Sequence, residues 1–141
     1  MPKFEVAVSV QITEDSGIKV PPTSLKQEFK VEAYDKIEFN IASGEEKQVE
    51  IINGDVKKVS FLLIQSSEYS EKLTYGISNE EATFKGLDQP HIYLGKGAIS
   101  VLSNDPSKSP SSLTFKNTGD SQKKALIGIL VGRDATQPQQ G

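Results

Sequence analysis

Apolar and polar residues alternate along much of the chain, and this two-residue period indicates β-strands with one buried face. The first such segment places Phe4, Val6, Val8, Val10 and Ile12 on one face and mainly polar residues on the other. A strand is therefore predicted close to the beginning of the chain. Two prolines at positions 21 and 22 predict an irregular connection after it, because proline lacks a backbone donor and restricts the preceding residue.

A second alternating segment spans residues 25–42, where most odd-numbered positions are apolar and most even-numbered positions are polar. The parity does not change across residues 34–36, so a two-residue turn there would oppose Ala33 with Glu38 on one face. A three-residue turn, or one long strand that bends at Asp35 and passes between two sheets, would preserve the pattern. The bend is favoured because no glycine is present for the left-handed position of a three-residue turn.

Two segments are predominantly apolar without alternation, residues 59–64 and residues 125–131. Their β-branched residues favour strands buried on both faces, at the centre of the fold. The last strand of the chain is therefore predicted to be paired on both sides. Gly128 within it indicates a bulge or the close approach of a ligand or partner, or alternatively packing beneath an aromatic residue of a facing sheet.

The dipeptide Asn53-Gly54 predicts a β-hairpin, because both residues accept the positive φ angles of a tight turn. The hairpin would join a strand that ends near Ile52 to the apolar strand that follows. It would place Glu50 opposite Lys57 or Lys58.

A further hairpin is predicted around Gly95-Lys96, with Ile92 opposite Ile99. Residues 103–112 contain no large apolar side chain and predict a long surface loop. A short strand and the final apolar strand follow this loop.

Nine or ten short strands with no convincing amphipathic helix predict an all-β fold, an antiparallel β-sandwich resembling a jelly roll. A closed β-barrel is the alternative. The length predicts a single domain over residues 1–134. Residues 135–141 are polar and are expected to form a disordered tail.

Charge and composition exclude several classes of function. The 16 basic and 19 acidic residues give a net charge of −3, without the basic stripe that binds nucleic acid. There is no cysteine, so disulfides, thiolate metal sites and thiol nucleophiles are absent from the chain. No apolar segment approaches the roughly 20 residues of a membrane-spanning helix, and no signal peptide is visible, so a soluble cytoplasmic protein is expected.

The sequence offers little for catalysis or metal binding. His91 is the only histidine, it follows Pro90, and no acidic partner is expected nearby, so it is predicted to be a solvated residue at a strand start. One histidine without cysteine leaves only carboxylate ligands, which suit calcium or magnesium rather than zinc. The aspartates are spread about one per turn, so a weak loop-borne calcium site is the alternative to no metal. We expect no catalytic residue, no metal and no cofactor.

Two functions remain. The first is a non-enzymatic structural or protein-interaction module that associates with itself or joins a larger assembly. The second is a carbohydrate-binding module, for which the parity of Tyr34 and Tyr93 predicts two outward-facing aromatic rings. The predicted ligand or partner surface therefore comprises Tyr34, Tyr93, His91 and Gly128.

Overall fold

Most of the residues that the structure describes lie in β-strands. The computed structural model describes residues 3–12, 17, 21–30, 33–51, 59–102, 112–119 and 124–133. The strands are β1 (Lys3–Val10), β2 (Thr23–Lys30), β3 (Ala33–Ile41), β4 (Glu46–Glu50), β5 (Val59–Ser66), β6 (Ser70–Ile77), β7 (Lys85–Leu87), β8 (His91–Leu94), β9 (Ser112–Asn117) and β10 (Ala125–Arg133). A short helix, α1 (Gly95–Ile99), follows β8, and single 3-10 turns occur at Glu81–Thr83 and Ser100–Leu102.

Eight of the strands form two antiparallel four-stranded sheets. The first sheet has the order β3-β10-β5-β8, and the second has the order β4-β9-β6-β7. Strands β1 and β2 pair antiparallel in a two-stranded sheet of their own, called the ribbon below. The predicted antiparallel β-sandwich is thereby confirmed, and the closed barrel is wrong because neither four-stranded sheet closes on itself.

The core lies between the two four-stranded sheets. Side chains from both sheets enter one buried cluster, and Phe39 of β3 contacts Phe115 of β9 edge to face at 5.3 Å. Each inward-facing row alternates with an outward-facing row, as the pleat of a strand requires. Within the described residues, no helix has the length and apolar character needed to cross a membrane.

Strand β10 is central, as its composition predicts. It pairs with β3 on one side and with β5 on the other. Its inward residues Ala125, Ile127, Ile129 and Val131 are buried, but Leu126 on the opposite face is 44% exposed. The expectation of burial on both faces is therefore wrong for this strand, since one face is open in this chain.

Neither expectation for residues 25–42 is right in detail. Strand β3 runs straight through Asp35, which pairs with Val131, so no turn interrupts it at that point. The break lies earlier, between the end of β2 and the beginning of β3, and the intervening residues 31 and 32 lie outside the described part of the chain. The expected change of sheet does occur, because β2 belongs to the ribbon and β3 to the first sheet.

The hairpin predicted at Asn53-Gly54 is wrong, because the strands on either side of it do not pair with each other. Strands β4 and β5 lie in different sheets, and Glu50 pairs with Ser112 of β9 instead of with a lysine of the next strand. Residues 52–58 themselves lie outside the described residues. Because β4 and β5 belong to different sheets, the local turn signal does not lead to local strand pairing.

The hairpin predicted at Gly95-Lys96 is also wrong. Gly95 has a φ of 84°, which ends β8, and the chain then forms α1 instead of returning along the strand. The apolar residues Ile99 and Leu102 are both buried, and their spacing of three places them on one helical face. Ile92 pairs with Leu63 of β5 instead of with Ile99. The predicted loop at 103–112, apart from Ser112, and the tail at 135–141 lie outside the described residues.

Candidate functional site

The ribbon formed by β1 and β2 carries its charges on one face. Glu5 lies directly opposite Glu28, but the ion pairs run diagonally, with Lys3 Nζ 3.2 Å from Glu28 and Lys26 Nζ 3.1 Å from Glu5. These exposed pairs add little to stability. A shift of one residue would separate them and would also turn the apolar side chains to the charged face, so together with the apolar pattern they favour this register.

The other face of the ribbon is apolar and partly open to solvent. Phe4, Val6 and Val8 on this face are half-buried, whereas the distal end of the ribbon is exposed. Val10 is 53% exposed, Leu25, which lies opposite Val8, is 49% exposed, and Ile12 just beyond β1 is 52% exposed. Isolated two-stranded ribbons are marginally stable, so such a face normally packs against another layer.

The base of the ribbon does pack against the sandwich, through Phe4. Its ring contacts Phe61 at 5.2 Å and Tyr34 at 5.7 Å, both edge to face. Gly132 of β10 pairs with both Tyr34 and Phe61, so the three residues form one row on the outer face of the first sheet. The aromatic contact explains why Phe61 is buried although it faces away from the core.

A second apolar row lies beside this contact on the same outer face. Leu130 pairs with Leu63, and Leu63 pairs with Ile92, so the row crosses β10, β5 and β8. Ile92 is 46% exposed. Leu126, 44% exposed, lies on the same face of β10 two rows further along, beyond the row that pairs Gly128 with Gln65. We call Leu63, Ile92, Leu126 and Leu130 the apolar stripe. Leu63 and Leu130 at the centre of the stripe are half-buried, whereas Ile92 and Leu126 at its ends are exposed.

Gly128 lies on this outer face and has neither of its predicted structural roles. Pairing through Gly128 is regular, and the irregularity in β10 falls between Gly132 and Arg133. A Cβ atom at Gly128 would lie 3.5 Å from Cγ of Gln65, which is an ordinary contact. An aromatic residue of the second sheet cannot cover Gly128, because that sheet packs on the opposite face.

The glycine that a close approach does require is Gly76 on β6. A Cβ atom there would lie 2.7 Å from Cδ1 and 2.9 Å from Cα of Phe84. The 3-10 turn at Glu81–Thr83 docks directly on this strand, and Thr83 Oγ1 accepts a hydrogen bond of 2.8 Å from the backbone N–H of Ile77. No signal in the local sequence distinguishes Gly76 from Gly128, because the contact is made by residues of a later turn.

A polar cluster bridges the two sheets at the edge formed by β7 and β8. The buried hydroxyl of Tyr75 on β6 lies 2.5 Å from Nδ1 of His91 and 2.5 Å from the hydroxyl of Tyr93, both on β8. Nε2 of His91 lies 3.5 Å from Asp88, and Lys85 Nζ lies 5.6 Å from the centre of the Tyr75 ring. These five residues are called the polar cluster below.

The protons of the polar cluster are constrained by its geometry. Tyr75 has one hydroxyl proton for two partners, so either Tyr93 or His91 must donate to its oxygen. Asp88 beside Nε2 favours the imidazole tautomer with the proton on Nε2, which leaves Nδ1 to accept from Tyr75 and Tyr93 to donate to Tyr75. Burial raises the pKa of Tyr75 far above its usual range. Burial likewise raises the pKa of Tyr93 and lowers the pKa of Lys85.

The cluster corrects two sequence predictions. Tyr93 faces inward and packs against the core, so its predicted outward orientation is wrong, whereas Tyr34 faces outward as predicted and is 54% exposed. His91 is half-buried and partnered, not a solvated residue without an acid nearby. Asp88 precedes His91 by three residues, and this spacing was the available signal for the pair.

Among the described residues, no group of three or more histidine or acidic side chains is placed to hold a metal ion. The paired acids Glu80 and Glu81 lie beside the 3-10 turn, where Glu81 contacts Lys116 at 3.1 Å. The chain matches no protein-family model, no curated protein and no solved structure.

Proposed function

We propose that this chain is a non-enzymatic structural module that associates with itself, or with the subunits of a larger assembly, through the apolar face of the ribbon. One observation carries the proposal. The ribbon separates its charges from its apolar residues, and the distal part of the apolar face, which includes Val10, Ile12 and Leu25, is about half exposed. A face of this kind becomes stable when a partner covers it.

The order of the strands supports a jelly-roll topology. The chain enters the sandwich at β3, and β3 to β6 alternate between the two sheets, as do β7 to β10. The resulting orders, β3-β10-β5-β8 against β4-β9-β6-β7, suit eight strands wound as two Greek keys. Jelly rolls serve as assembly and lectin domains, an analogy at the level of fold alone.

The polar cluster supports a structural role instead of a catalytic one. Its hydroxyl and imidazole groups are hydrogen-bonded to one another, and Tyr75 is fully buried. Tyrosine hydroxyls are protonated near neutral pH, and the raised pKa values of Tyr75 and Tyr93 move both further from ionisation, so they are poor nucleophiles and poor bases. The cluster is well suited to joining the two sheets.

Carbohydrate binding is a second candidate, favoured by the exposure of the Tyr34 ring. Tyr93 gives it no support, because that ring faces inward. Loss of glycan-array signal in Tyr34→Ala, with an unchanged fold, would favour this function. An array without any signal for the wild-type chain would remove it.

Light scattering across a range of protein concentrations tests the proposed self-association. We expect the wild-type chain to form oligomers, and Val10→Lys to weaken them by placing a charge on the apolar face. Ser9→Lys is the matched control, because Ser9 is exposed on the charged face one residue away. A wild-type chain that remains monomeric at every concentration, and recovers no partner from its source, would contradict the proposal.

A further inference from the structure

We infer that the distal ribbon of one copy of this chain binds the apolar stripe of a second copy. The inference rests on the proposed self-association and names the surface that receives the ribbon. The proposed interface has two sides. One copy contributes the distal ribbon with Val10, Ile12 and Leu25, and the other contributes the apolar stripe of Leu63, Ile92, Leu126 and Leu130.

The ribbon already packs on this outer face within one chain. Phe4 at the base of the ribbon contacts Phe61 and Tyr34, which belong to the row directly beside the stripe. Successive rows on one face are two residues apart, or about 7 Å along the strands. The stripe therefore continues a contact that the same ribbon face makes in its own chain.

The ribbon face and the stripe also match chemically, because both are apolar. The described side chains on the apolar face of the ribbon carry no charge, and neither do those of the stripe. On β3, Lys36 lies at the end of the stripe, opposite Leu130, and its ammonium group is 3.4 Å from Glu38. An apolar centre with charges at its rim is the arrangement of a protein–protein interface.

The stripe is wide enough to receive a ribbon. The stripe extends from β8 across β5 to β10, which places its outer strands about 10 Å apart. The two strands of the ribbon are about 5 Å apart, so a ribbon fits within the width of the stripe. Leu63 and Leu130 are half-buried, but Ile92 and Leu126 remain exposed although the chain's own ribbon is in place, so both ends of the stripe are open to a second copy.

Each copy thus carries one ribbon and one stripe, at different places on its surface. Contacts of this kind are heterologous, and they continue from copy to copy into a closed ring or an open filament. A symmetric ribbon-to-ribbon dimer would instead leave both stripes exposed.

Cross-linking tests this arrangement, because the chain has no native cysteine to interfere. Val10→Cys and Ile92→Cys are prepared separately, one of them isotopically labelled, mixed in equal amounts and treated with a short bismaleimide. We expect the labelled–unlabelled dimer to be the main product. The same reaction should give severalfold less product when Ser9→Cys replaces Val10→Cys, or when Glu46→Cys on β4 replaces Ile92→Cys.

Leu126→Cys provides a second position in the stripe, and it should cross-link with Val10→Cys if Ile92→Cys unfolds. Oligomers in which Val10→Cys links only to itself, or links equally to every position, would overturn the inference and leave self-association in place. A chain that stays monomeric and gives no cross-link would overturn both proposals. Cross-links confined to the ribbon and the stripe would support both.

Discussion

The hydroxyl of Tyr75 lies 2.5 Å from Nδ1 of His91, and this hydrogen bond joins the two sheets of the sandwich. The same hydroxyl lies 2.5 Å from that of Tyr93. Burying polar groups costs little free energy when they are hydrogen-bonded in this way, whereas the loss of one partner leaves the others without a hydrogen bond. The buried hydroxyl oxygen of Tyr75 is therefore the shared hydrogen-bond partner that links the two sheets at this edge of the sandwich.

Tyr75→Phe should destabilise the protein by about 1–3 kcal/mol, because it leaves Nδ1 of His91 and the Tyr93 hydroxyl without their shared partner. Tyr34→Phe is the control, since the Tyr34 ring is largely exposed, and its effect should stay within about 0.5 kcal/mol. Urea denaturation of the two variants and the wild type measures both. Equal midpoints for all three would show that the cluster contributes nothing to stability.

Stability should fall at high pH. The pKa values of Tyr75 and Tyr93 are raised above 10.0 in the folded state, so the unfolded chain loses these protons first as pH rises. Their contribution is therefore fully present below about pH 10 and is lost above it. The lowered pKa of Lys85 acts in the opposite sense up to its ordinary value of 10.5, so the decline should be clearest beyond that pH.

Denaturation midpoints measured from about pH 9 to about pH 12 check this dependence, within the usual range of tyrosine and lysine ionisation. Tyr75→Phe should show a shallower decline than the wild type, because one of the two tyrosine protons is removed. An identical slope in the two proteins would contradict the assignment of the effect to Tyr75.

Gly76 and Gly128 should respond differently to alanine. Gly76→Ala forces a Cβ atom to within 2.9 Å of the backbone of Phe84 and should cost about 1–3 kcal/mol, as overpacking does. Gly128→Ala meets only ordinary contact with Gln65 and should be neutral, or should stabilise by up to about 1 kcal/mol by restricting the unfolded chain. Thermal unfolding separates the two outcomes. A severe loss of stability in Gly128→Ala would instead support the predicted close approach of another group to the backbone at Gly128.

Strand β10 should be indispensable for folding. A chain that ends at Gly119 loses the four buried inward residues of β10 and leaves β3 and β5 with new unpaired edges. We expect no cooperative unfolding transition for it by circular dichroism. A chain that ends at Arg133 keeps every described strand and should unfold like the full-length protein. Cooperative unfolding of the shorter chain would show that β10 is peripheral.

The sequence predicts strands well where one physical signal dominates. The apolar run at residues 125–131 correctly indicates a central strand, because an edge strand has less need of so many large apolar residues. Alternation correctly indicates β1 and β3. Neither pattern specifies which strands pair, because side-chain parity describes faces and not neighbours.

Errors occur where distant residues override a local signal. Asn53-Gly54 favours a hairpin, but β4 and β5 pair with strands far along the chain, as the crossing between sheets requires. The parity of Tyr93 suggests an outward ring, but its hydroxyl bonds to Tyr75 on the opposite sheet, 18 residues earlier. At Gly95 the prediction gave more weight to the glycine, which favours a hairpin turn, than to the spacing of Ile99 and Leu102. That spacing was a local sign of the helix that forms there.

The surface that we propose for self-association could be predicted from the sequence only in part. The outward orientation of Tyr34 follows from its parity, and the structure places it against Phe4 at the base of the ribbon. The exposed face of the ribbon was not predictable, because the alternation in β1 is the same whether the apolar face is covered by the chain itself or left open. The distinction lies in tertiary packing, which leaves Val10, Ile12 and Leu25 outside the core.

Amide hydrogen exchange of the full-length protein at several concentrations tests the role of the ribbon most directly. We expect amides in β1 and β2 to become more protected as concentration rises, whereas those of β10 should not change, because β10 is already paired on both sides. The Val10→Lys variant should lose this concentration dependence, and Ser9→Lys should keep it. Exchange in the ribbon that is the same at every concentration would contradict the account.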